Sequence, residues 1–354
     1  MAPMGRMFAQ KHVPHQDAAA YYRRRIEGGV GLVITEATGI EHRLLPDHPG
    51  IPSMCGSKAL IAWKSIVDEV HSVGGKIVVQ LFHQGMLRGG ATADATLESL
   101  RPSGTLGQVG PNSYAPEFVE QAKTPTATMS EEDIQDVIDG FYRSAIHAKQ
   151  LGFDGVEIHG AHGYLIVSFL WSKSNKRTDK YGGDAAKRTR IAVEIIQAVR
   201  RALGQDLPIL FRFSQHKSHN YAAKLADSPE ELERYLGPIS DAGVDVLDAS
   251  TRRFYQPAFE GSSLNLAGWA KKITAKPVIA VGSVGLNFTA SDTFMNKNGE
   301  QENNLPLLFD RFAQGEFDLI SIGRSLISDP DFANKLKYNE PVIPFTSESL
   351  KTLV

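Results

Sequence analysis

The sequence predicts an α/β fold, specifically a (β/α)₈ TIM barrel. Strand-like and helix-like segments alternate along the 354 residues. The strand-like segments are short and almost entirely apolar, as in parallel sheets that are covered by helices. Eight such strands can be counted, and eight units favour a closed barrel over an open sheet. No G-x-G-x-x-G motif follows an early strand, which weakens the alternative of a dinucleotide-binding open sheet.

The elements of the first half are marked by apolar runs and by helix boundary signals. Residues 1–4 are predicted to be the end of the first strand. A helix is predicted for 17–27, where Gly28 and Gly29 supply a C-cap signal. Ser130 is followed by three acidic residues, which predicts the start of another helix. The remaining elements predicted in this half are the strands 31–35 and 76–82 and the helix 57–73.

The second half continues the same alternation. Its predicted strands are 155–159, 208–213, 244–248, 277–281 and 318–322, and its predicted helices lie near 185–203, 229–242, 266–273 and 310–314. Neither an internal repeat nor a linker is visible in the sequence. We therefore predict that residues 1–354 form a single domain.

Two connections are unusually long for a barrel of this kind. Residues 84–129 are rich in Gly, Pro, Thr and Ser and are predicted to form a cap over the active site. Residues 251–264 combine arginines with aromatic residues, which suits a wall for substrate or nicotinamide and equally suits ordinary surface packing. The residues concerned are Arg252, Arg253, Phe254, Tyr255 and Phe259.

The composition is that of an ordinary globular protein, with 42% hydrophobic and 22% charged residues. The formal net charge of −2 gives no electrostatic case for binding nucleic acid or an anionic membrane. Cys55 is the only cysteine, so no intrachain disulfide can form, which suits a reducing cytosol. No apolar run approaches the roughly 20 residues of a membrane helix, and no signal peptide is visible. These observations predict a cytoplasmic protein.

A cluster of polar side chains follows the strand 155–159. His159, His162 and Tyr164 can each hold or donate a proton at the carboxyl end of that strand, which is where barrel enzymes place their active sites. A zinc site is the main alternative for the two histidines. Against zinc, the sequence has no HExxH motif, no cysteine cluster and no Asp-rich partner motif.

A phosphate site is predicted at the ends of the last two strands. Many barrels bind phosphate with the loops after strands 7 and 8 and a helix N-terminus. Gly282 and Ser283 follow strand 7, and Gly323 and Arg324 follow strand 8. The glycines allow backbone N–H groups to approach phosphate oxygens, and the arginine can bind them bidentately.

The stretch 152–184 contains HGAHGYL, then NKRTDKYGG, then a helix punctuated by arginines. These motifs resemble the signature of the old yellow enzyme family, the FMN-dependent NAD(P)H:flavin oxidoreductases and ene-reductases. The resemblance implies a bound FMN that is reduced by NADPH or NADH and passes hydride to the β-carbon of a small α,β-unsaturated carbonyl or nitro compound. It also implies that His159 and His162 polarise the substrate oxygen, in the manner of an oxyanion hole, and that Tyr164 protonates the α-carbon.

The same resemblance implies which residues hold the flavin. Ala2, Pro3, Met4 and Ala37 would contact the isoalloxazine through their backbone. Gln80 and Arg212 would lie against its pyrimidine edge, where a cation stabilises the reduced flavin. A structural salt bridge is the alternative role for Arg212, since an arginine inside an apolar strand needs an anion or a strong acceptor. The phosphate residues Gly282, Ser283, Gly323 and Arg324 agree with the family pattern.

The chain departs from the family pattern in three places. The hairpin lid and most of the first strand are missing, and we expect that the chain is truncated or that its start was assigned late. Gly5 stands where the family has Thr or Cys, so the flavin is expected to be harder to reduce. Val167 and Ser168 replace residues that are usually polar amides or acids.

Two other functions remain open from the sequence. One is a metal-dependent barrel hydrolase that uses His159 and His162 as ligands. The other is a truncated, inactive family member, because a missing first strand leaves an exposed edge in a sheet that needs closure. A homo-oligomer is compatible with either function and with the ene-reductase.

Overall fold

A computed structural model of the chain describes residues 1–289, 292–293 and 302–353. Within these residues, parallel pairing links the strands in the order β1-β3-β4-β5-β6-β7-β8, and the short β2 continues β1 along the edge of β3. This arrangement confirms the predicted α/β fold with a parallel sheet. The strands are β1 (Leu32–Ile34), β2 (Thr38–Gly39), β3 (Lys76–Phe82), β4 (Val156–His162), β5 (Ile209–Lys217), β6 (Val246–Ser250), β7 (Val278–Val281) and β8 (Leu319–Ser321).

The seam between β1 and β8 is closed by Met1 and Ala2. The Met1 nitrogen donates to the Leu32 carbonyl at 2.6 Å, and the Ile34 N–H donates to the Met1 carbonyl at 3.2 Å, which is the pattern of a parallel ladder. On the other side, the Ala2 N–H donates to the Ile322 carbonyl at 2.8 Å. Met1 and Ala2 therefore pair with β1 and with Ile322, and the edge that the sequence led us to expect here is paired.

Helices follow the strands and cover the outside of the sheet. α4 begins with a reciprocal capping box between Ser130 and Asp133 and ends at Gly152, whose φ of +87° few other residues adopt. The helices that the structure describes are α1 (Ala18–Glu27), α2 (Ser57–Ser72), α3 (Pro116–Ala122), α4 (Glu131–Leu151), α5 (Leu165–Leu170), α6 (Ala185–Arg188), α7 (Arg190–Leu203), α8 (Pro229–Asp241), α9 (Leu266–Thr274), α10 (Leu305–Ala313), α11 (Arg324–Ser328) and α12 (Phe332–Tyr338).

Several boundaries differ from the predicted ones. The predicted helix 185–203 is divided at Thr189 into α6 and α7. The helix predicted at 310–314 is longer in the structure, where α10 begins at Leu305. Pro306 lies in its first turn, a position that proline tolerates. In the part of the chain that the structure describes, no helix is both long and apolar enough to cross a bilayer.

The barrel interior changes from apolar to polar along its axis. One layer of inward-facing side chains is the apolar cluster of Ile34, Val78, Leu210 and Ile279. Two residues further along the same or neighbouring strands, the inward positions are polar. The buried polar residues of this layer are Gln80, Glu157, Arg212 and Asp248. Because side chains alternate along a strand, the chemistry is confined to the carboxyl end of the barrel.

Candidate active site

The two histidines face each other because β4 is irregular. In a regular strand, residues three positions apart lie on opposite faces. The pairing of β4 with β5 shifts register between Gly160 and His162, and His162 has a left-handed φ of +62°. This bulge turns the His162 side chain back to the face of β4 that carries His159. The rings of His159 and His162 are 5.0 Å apart and nearly perpendicular, at 88°.

His159 has a defined proton position. Its Nδ1 accepts a hydrogen bond from the Ala161 N–H at 3.2 Å, which leaves the proton on Nε2. Burial, with a further contribution from the positive charge of Arg212, lowers the pKa of His159 to about 3. The ring is therefore neutral at ordinary pH and presents an N–H donor without carrying a charge.

His162 is also held neutral. Burial lowers the pKa of His162 well below its usual value, and the neighbouring His159, His216 and Arg212 act in the same direction. Its backbone N–H donates to the Ser214 hydroxyl at 2.9 Å, and its ring Nε2 lies 2.9 Å from the Ser250 hydroxyl. Two neutral imidazoles at one strand end form the kind of uncharged donor pair that can bind a carbonyl oxygen.

Tyr164 completes the group and lies under the long connection 84–129. Its ring is 5.1 Å from that of His159 and 5.4 Å from that of Phe82. It also packs against a separate apolar cluster within that connection, which includes Met86 and Phe118. Burial, followed by the negative charge of Asp47, raises the pKa of Tyr164 to about 12. The phenol therefore remains protonated, as a proton donor must.

If His159, His162 and Tyr164 act on the substrate as the family resemblance implies, the reoxidation of the flavin by substrate is expected to be insensitive to pH, because none of the three groups titrates near neutrality. His159 stays neutral above about pH 3 and Tyr164 stays protonated below about pH 12. We expect the rate of flavin reoxidation by 2-cyclohexenone to be flat between about pH 5 and pH 9. Stopped-flow measurements on pre-reduced protein would test this. A titration near pH 6.5 would contradict it, because it would show a histidine with an ordinary pKa.

The polar layer beneath the histidines is a connected buried network. Arg212 donates through Nη1 to Asp248 at 2.8 Å and through Nη2 to Ser250 at 3.0 Å. Gln80 donates to Glu157 at 2.6 Å. The structural ion pair considered as an alternative for Arg212 is thus present. The Arg212 Nε, however, is buried and has no hydrogen-bond partner among the described residues, so its N–H is available to a ligand.

The strand 7 and strand 8 loops meet as predicted. Arg324 donates to the Ser283 hydroxyl at 3.1 Å and to the Phe288 carbonyl at 2.7 Å. Burial lowers the pKa of Arg324 to about 10, so the guanidinium is still charged at neutral pH. A Cβ on Gly323 would lie 3.1 Å from the Met4 sulfur, which places the segment 1–4 beside this loop.

Gly282 has no room for a side chain. Its φ is +152°, and a Cβ would lie 2.6 Å from the Thr251 hydroxyl oxygen and 2.8 Å from the Phe254 nitrogen. Gly282→Ala is therefore expected to displace the loop and to weaken FMN binding about 10-fold or more, since backbone strain of this kind costs about 1–3 kcal/mol. A fluorescence titration with FMN measures the effect. Gly237→Ala on α8, where a Cβ meets nothing within 4 Å, is the matched control; equal affinities for the two variants would contradict the assignment.

The predicted flavin residues near the N-terminus occupy one region. Ala2 is buried, Pro3 and Met4 are half-buried, and Ala37 lies between β1 and β2. The Arg6 N–H donates to the Glu36 carboxylate at 2.9 Å, which ties residues 5–6 to residues 36–37. Together with the unpaired Arg212 Nε and the glycines of the phosphate loops, these residues fit an elongated, phosphate-bearing cofactor such as FMN.

Three residues near the histidines were not predicted. Ser250 and Ser214 bind the ring and the backbone of His162, and the ring of His216 is 5.1 Å from it. The sequence does contain a signal for them. Side chains alternate along a strand, and polar residues recur at every second position of β5 and β6, on the inward side that also carries Arg212. The sequence left open whether the connection 251–264 lines the site or packs as ordinary surface. Phe254 and Phe259 belong to the core, whereas Arg252 lies on the side of the site, with its guanidinium carbon 5.2 Å from the centre of the Tyr221 ring.

No group of three or more His, Cys, Asp or Glu side chains arranged to hold a metal ion occurs in residues 1–289, 292–293 and 302–353. The zinc alternative therefore finds no third ligand beside His159 and His162 in the described structure. Imidazoles that face each other as donors are better suited to a substrate oxygen than to a cation.

Comparisons with known proteins agree with this geometry. A family model described as the NADH:flavin oxidoreductase / NADH oxidase family matches residues 1–305. The NADH oxidase of Thermoanaerobacter brockii is 31% identical over 325 residues, which are 90% of this chain and 44% of that protein. The putative 12-oxophytodienoate reductase 3 of Oryza sativa subsp. japonica is 31% identical over 354 residues, covering 99% of this chain and 85% of the relative.

Among solved structures, the old yellow enzyme homologue from Zymomonas mobilis superposes with a TM-score of 0.78 at 25% identity. The match covers 99% of this chain and 91% of that one. The barrel is therefore shared along almost the whole length of both proteins.

Proposed function

This chain belongs to the NADH:flavin oxidoreductase / NADH oxidase family, and on that basis we propose that His159 and His162 polarise a small α,β-unsaturated carbonyl or nitro compound, and that Tyr164 protonates it, while its activated C=C bond is reduced. The protein is an FMN-dependent NAD(P)H oxidoreductase of the old yellow enzyme type. Bound FMN would supply the hydride chemistry that connects NADH or NADPH with the β-carbon of the alkene. The family relationship does not favour a metal-dependent hydrolase.

The observation that carries the proposal is the facing pair of neutral histidines beside a protonated tyrosine. His159 supplies an Nε2–H donor, and His162 supplies a second donor from a ring held 5.0 Å away. In our proposal both donate to the substrate oxygen, where negative charge develops, so they would stabilise the transition state more than the ground state. Tyr164, whose ring centre is 5.1 Å from that of His159, would protonate the neighbouring carbon.

The remaining residues hold the cofactor in our proposal. Arg324 and Ser283, with backbone N–H groups at Gly282 and Gly323, would bind the FMN phosphate. Gln80 and Arg212 would bind the pyrimidine edge, and Ala2, Pro3, Met4 and Ala37 would contact the ring system. These side chains orient the flavin and exclude water from the site, which is the protein's part in cofactor catalysis.

An absorption spectrum of the purified protein tests the function directly. Flavin bands that bleach with anaerobic NADPH and recover on addition of 2-cyclohexenone are the expected result. A protein that binds FMN and is reduced by NADPH, but is not reoxidised by enone or nitroalkene, would refute alkene reduction while leaving the cofactor assignment intact.

Gly5 offers a test of the flavin environment. The residue is exposed, and a Cβ there would meet nothing within 4 Å, so a threonine fits. Gly5→Thr is expected to raise the two-electron midpoint potential by roughly 20 mV, which corresponds to one hydrogen bond of about 1 kcal/mol to the reduced cofactor. A redox titration measures this. Gly5→Ala controls for the change in backbone freedom; an unchanged or lower potential in Gly5→Thr would refute the expectation.

A further inference from the structure

Ser250 links the arginine of the flavin layer to a histidine of the substrate site. Its hydroxyl oxygen lies 3.0 Å from the Arg212 Nη2 and 2.9 Å from the His162 Nε2. The serine is buried, with 4% of its surface exposed, at the last position of β6. The result is a chain of hydrogen bonds that runs from Asp248 through Arg212 and Ser250 to His162.

The direction of these hydrogen bonds follows from which groups can donate. A guanidinium has only donors, so the Ser250 oxygen must accept from Arg212. The hydroxyl hydrogen of Ser250 is then left for another acceptor. Among the described residues the His162 Nε2 is the acceptor within reach, and the ring is neutral. A neutral imidazole that accepts at Nε2 carries its proton on Nδ1.

The opposite arrangement leaves a group unsatisfied. If the His162 Nε2 carried the proton and donated to Ser250, the serine oxygen would accept twice and its own hydrogen would have no partner among the described residues. An unpaired buried hydroxyl costs about 1–3 kcal/mol. The arrangement with the proton on Nδ1 gives the Ser250 hydroxyl both a donor, Arg212, and an acceptor, the His162 Nε2.

We propose that Ser250 is a positioning residue that fixes His162 in the Nδ1–H tautomer, so that Nδ1–H is the donor offered to the substrate oxygen. This inference rests on the proposed function for its catalytic meaning. Donation by Ser250 to Nε2 also withdraws electron density from the ring and strengthens the Nδ1–H donor, because hydrogen bonds in a chain reinforce one another. For histidines that bind metals, removal of an outer hydrogen-bond partner typically changes activity 10–100-fold, and we take the lower end of that range for Ser250.

The tautomer can be read by NMR. Long-range ¹⁵N–¹H spectra of the FMN-bound protein labelled with [¹⁵N]histidine distinguish a protonated Nδ1 from a protonated Nε2, and His162→Asn identifies the His162 signals. We expect Nδ1–H in the natural protein, a loss of that form in Ser250→Ala, and its retention in Ser250→Thr, which keeps a hydroxyl. We also expect kcat/KM for 2-cyclohexenone to fall on the order of 10-fold in Ser250→Ala.

Ser214→Ala is the matched control, because Ser214 binds the backbone of His162 and not its ring. It is expected to leave the tautomer unchanged. Nε2–H in the natural protein, an unchanged tautomer in Ser250→Ala, or an equal change in Ser214→Ala would each overturn the assignment to Ser250. If the tautomer behaves as expected but no enone is reduced by the natural protein, the proposed substrate fails and the role of Ser250 in setting the tautomer stands.

Discussion

His162→Ala is expected to slow the reoxidation of the reduced flavin by 2-cyclohexenone about 10²–10³-fold. Removal of one donor from an oxyanion site has effects of that size, because the charge that develops on the substrate oxygen loses a fixed partner. The structure predicts no compensation from a neighbour, since the His159 Nδ1 is occupied by Ala161 and only its Nε2–H faces the site. Anaerobic stopped-flow absorbance on reduced protein measures this step alone.

His162→Asn is the control for that experiment. An asparagine can still donate an N–H to the oxygen, so the rate should remain within about 10-fold of the natural protein. If alanine and asparagine slow the reaction equally, His162 acts through packing or through backbone geometry and not as a donor. If neither variant has an effect, the residue is not part of the site.

Arg212→Ala is expected to destabilise the fold by about 3–5 kcal/mol, because it leaves the Asp248 carboxylate buried without its cation. Asp248 is fully buried, and one of its oxygens already lacks a hydrogen-bond partner among the described residues. Glu157 is an acid whose pKa is raised well above its usual value by burial and by Asp248, so it is neutral or negative and offers Asp248 no replacement cation. Equilibrium unfolding in urea, in the absence of added FMN, gives the free energy of unfolding.

Two controls distinguish destabilisation by an unpaired buried charge from destabilisation by the loss of a side-chain contact. The double variant Arg212→Met, Asp248→Leu removes both charges and should recover much of the loss, since apolar replacements of buried ion pairs are often neutral. Lys64→Ala breaks an exposed ion pair with Asp68 on α2 and should cost less than about 1 kcal/mol. A double variant as unstable as Arg212→Ala would mean that the charge of Asp248 is not the cause.

The parallel barrel was predictable because its signals are local. Apolar runs at 76–82 and 208–213, the capping residues at Ser130 and the glycines after helices each act within a few positions of the chain. The predicted site residues could be placed for the same reason, because the carboxyl end of a parallel strand is a fixed location in this fold. The roles of individual residues in binding FMN remain predictions.

The partners of the site residues were not predictable in the same way. Ser250 and Asp248 can be identified as part of the site only through their hydrogen bonds to Arg212, which lies 38 and 36 positions earlier in the chain. The bulge in β4 was not predicted, although two signals for it are present. Gly160 lies inside the strand, and histidine is among the residues that adopt a left-handed conformation more often than most. The packing of Tyr164 on the connection 84–129 depends on how a long irregular segment folds back, which periodicity does not describe.

The closure of the barrel by Met1 and Ala2 has a consequence for how the chain folds. Each strand from β3 to β8 pairs with the preceding one, so an open parallel sheet can grow by joining neighbours in the sequence. The hydrogen bond from Ala2 to Ile322 joins residues separated by 320 positions, and the hydrogen bonds from Arg25 to the carbonyls of Leu326 and Ile327 span a similar separation. Because the entropy of a large loop is lost before such a contact is gained, ring closure is expected to be the late, slow event of folding. The intermediate that precedes it would expose β1 and β8 to pairing with other chains, so the seam is where folding and aggregation compete.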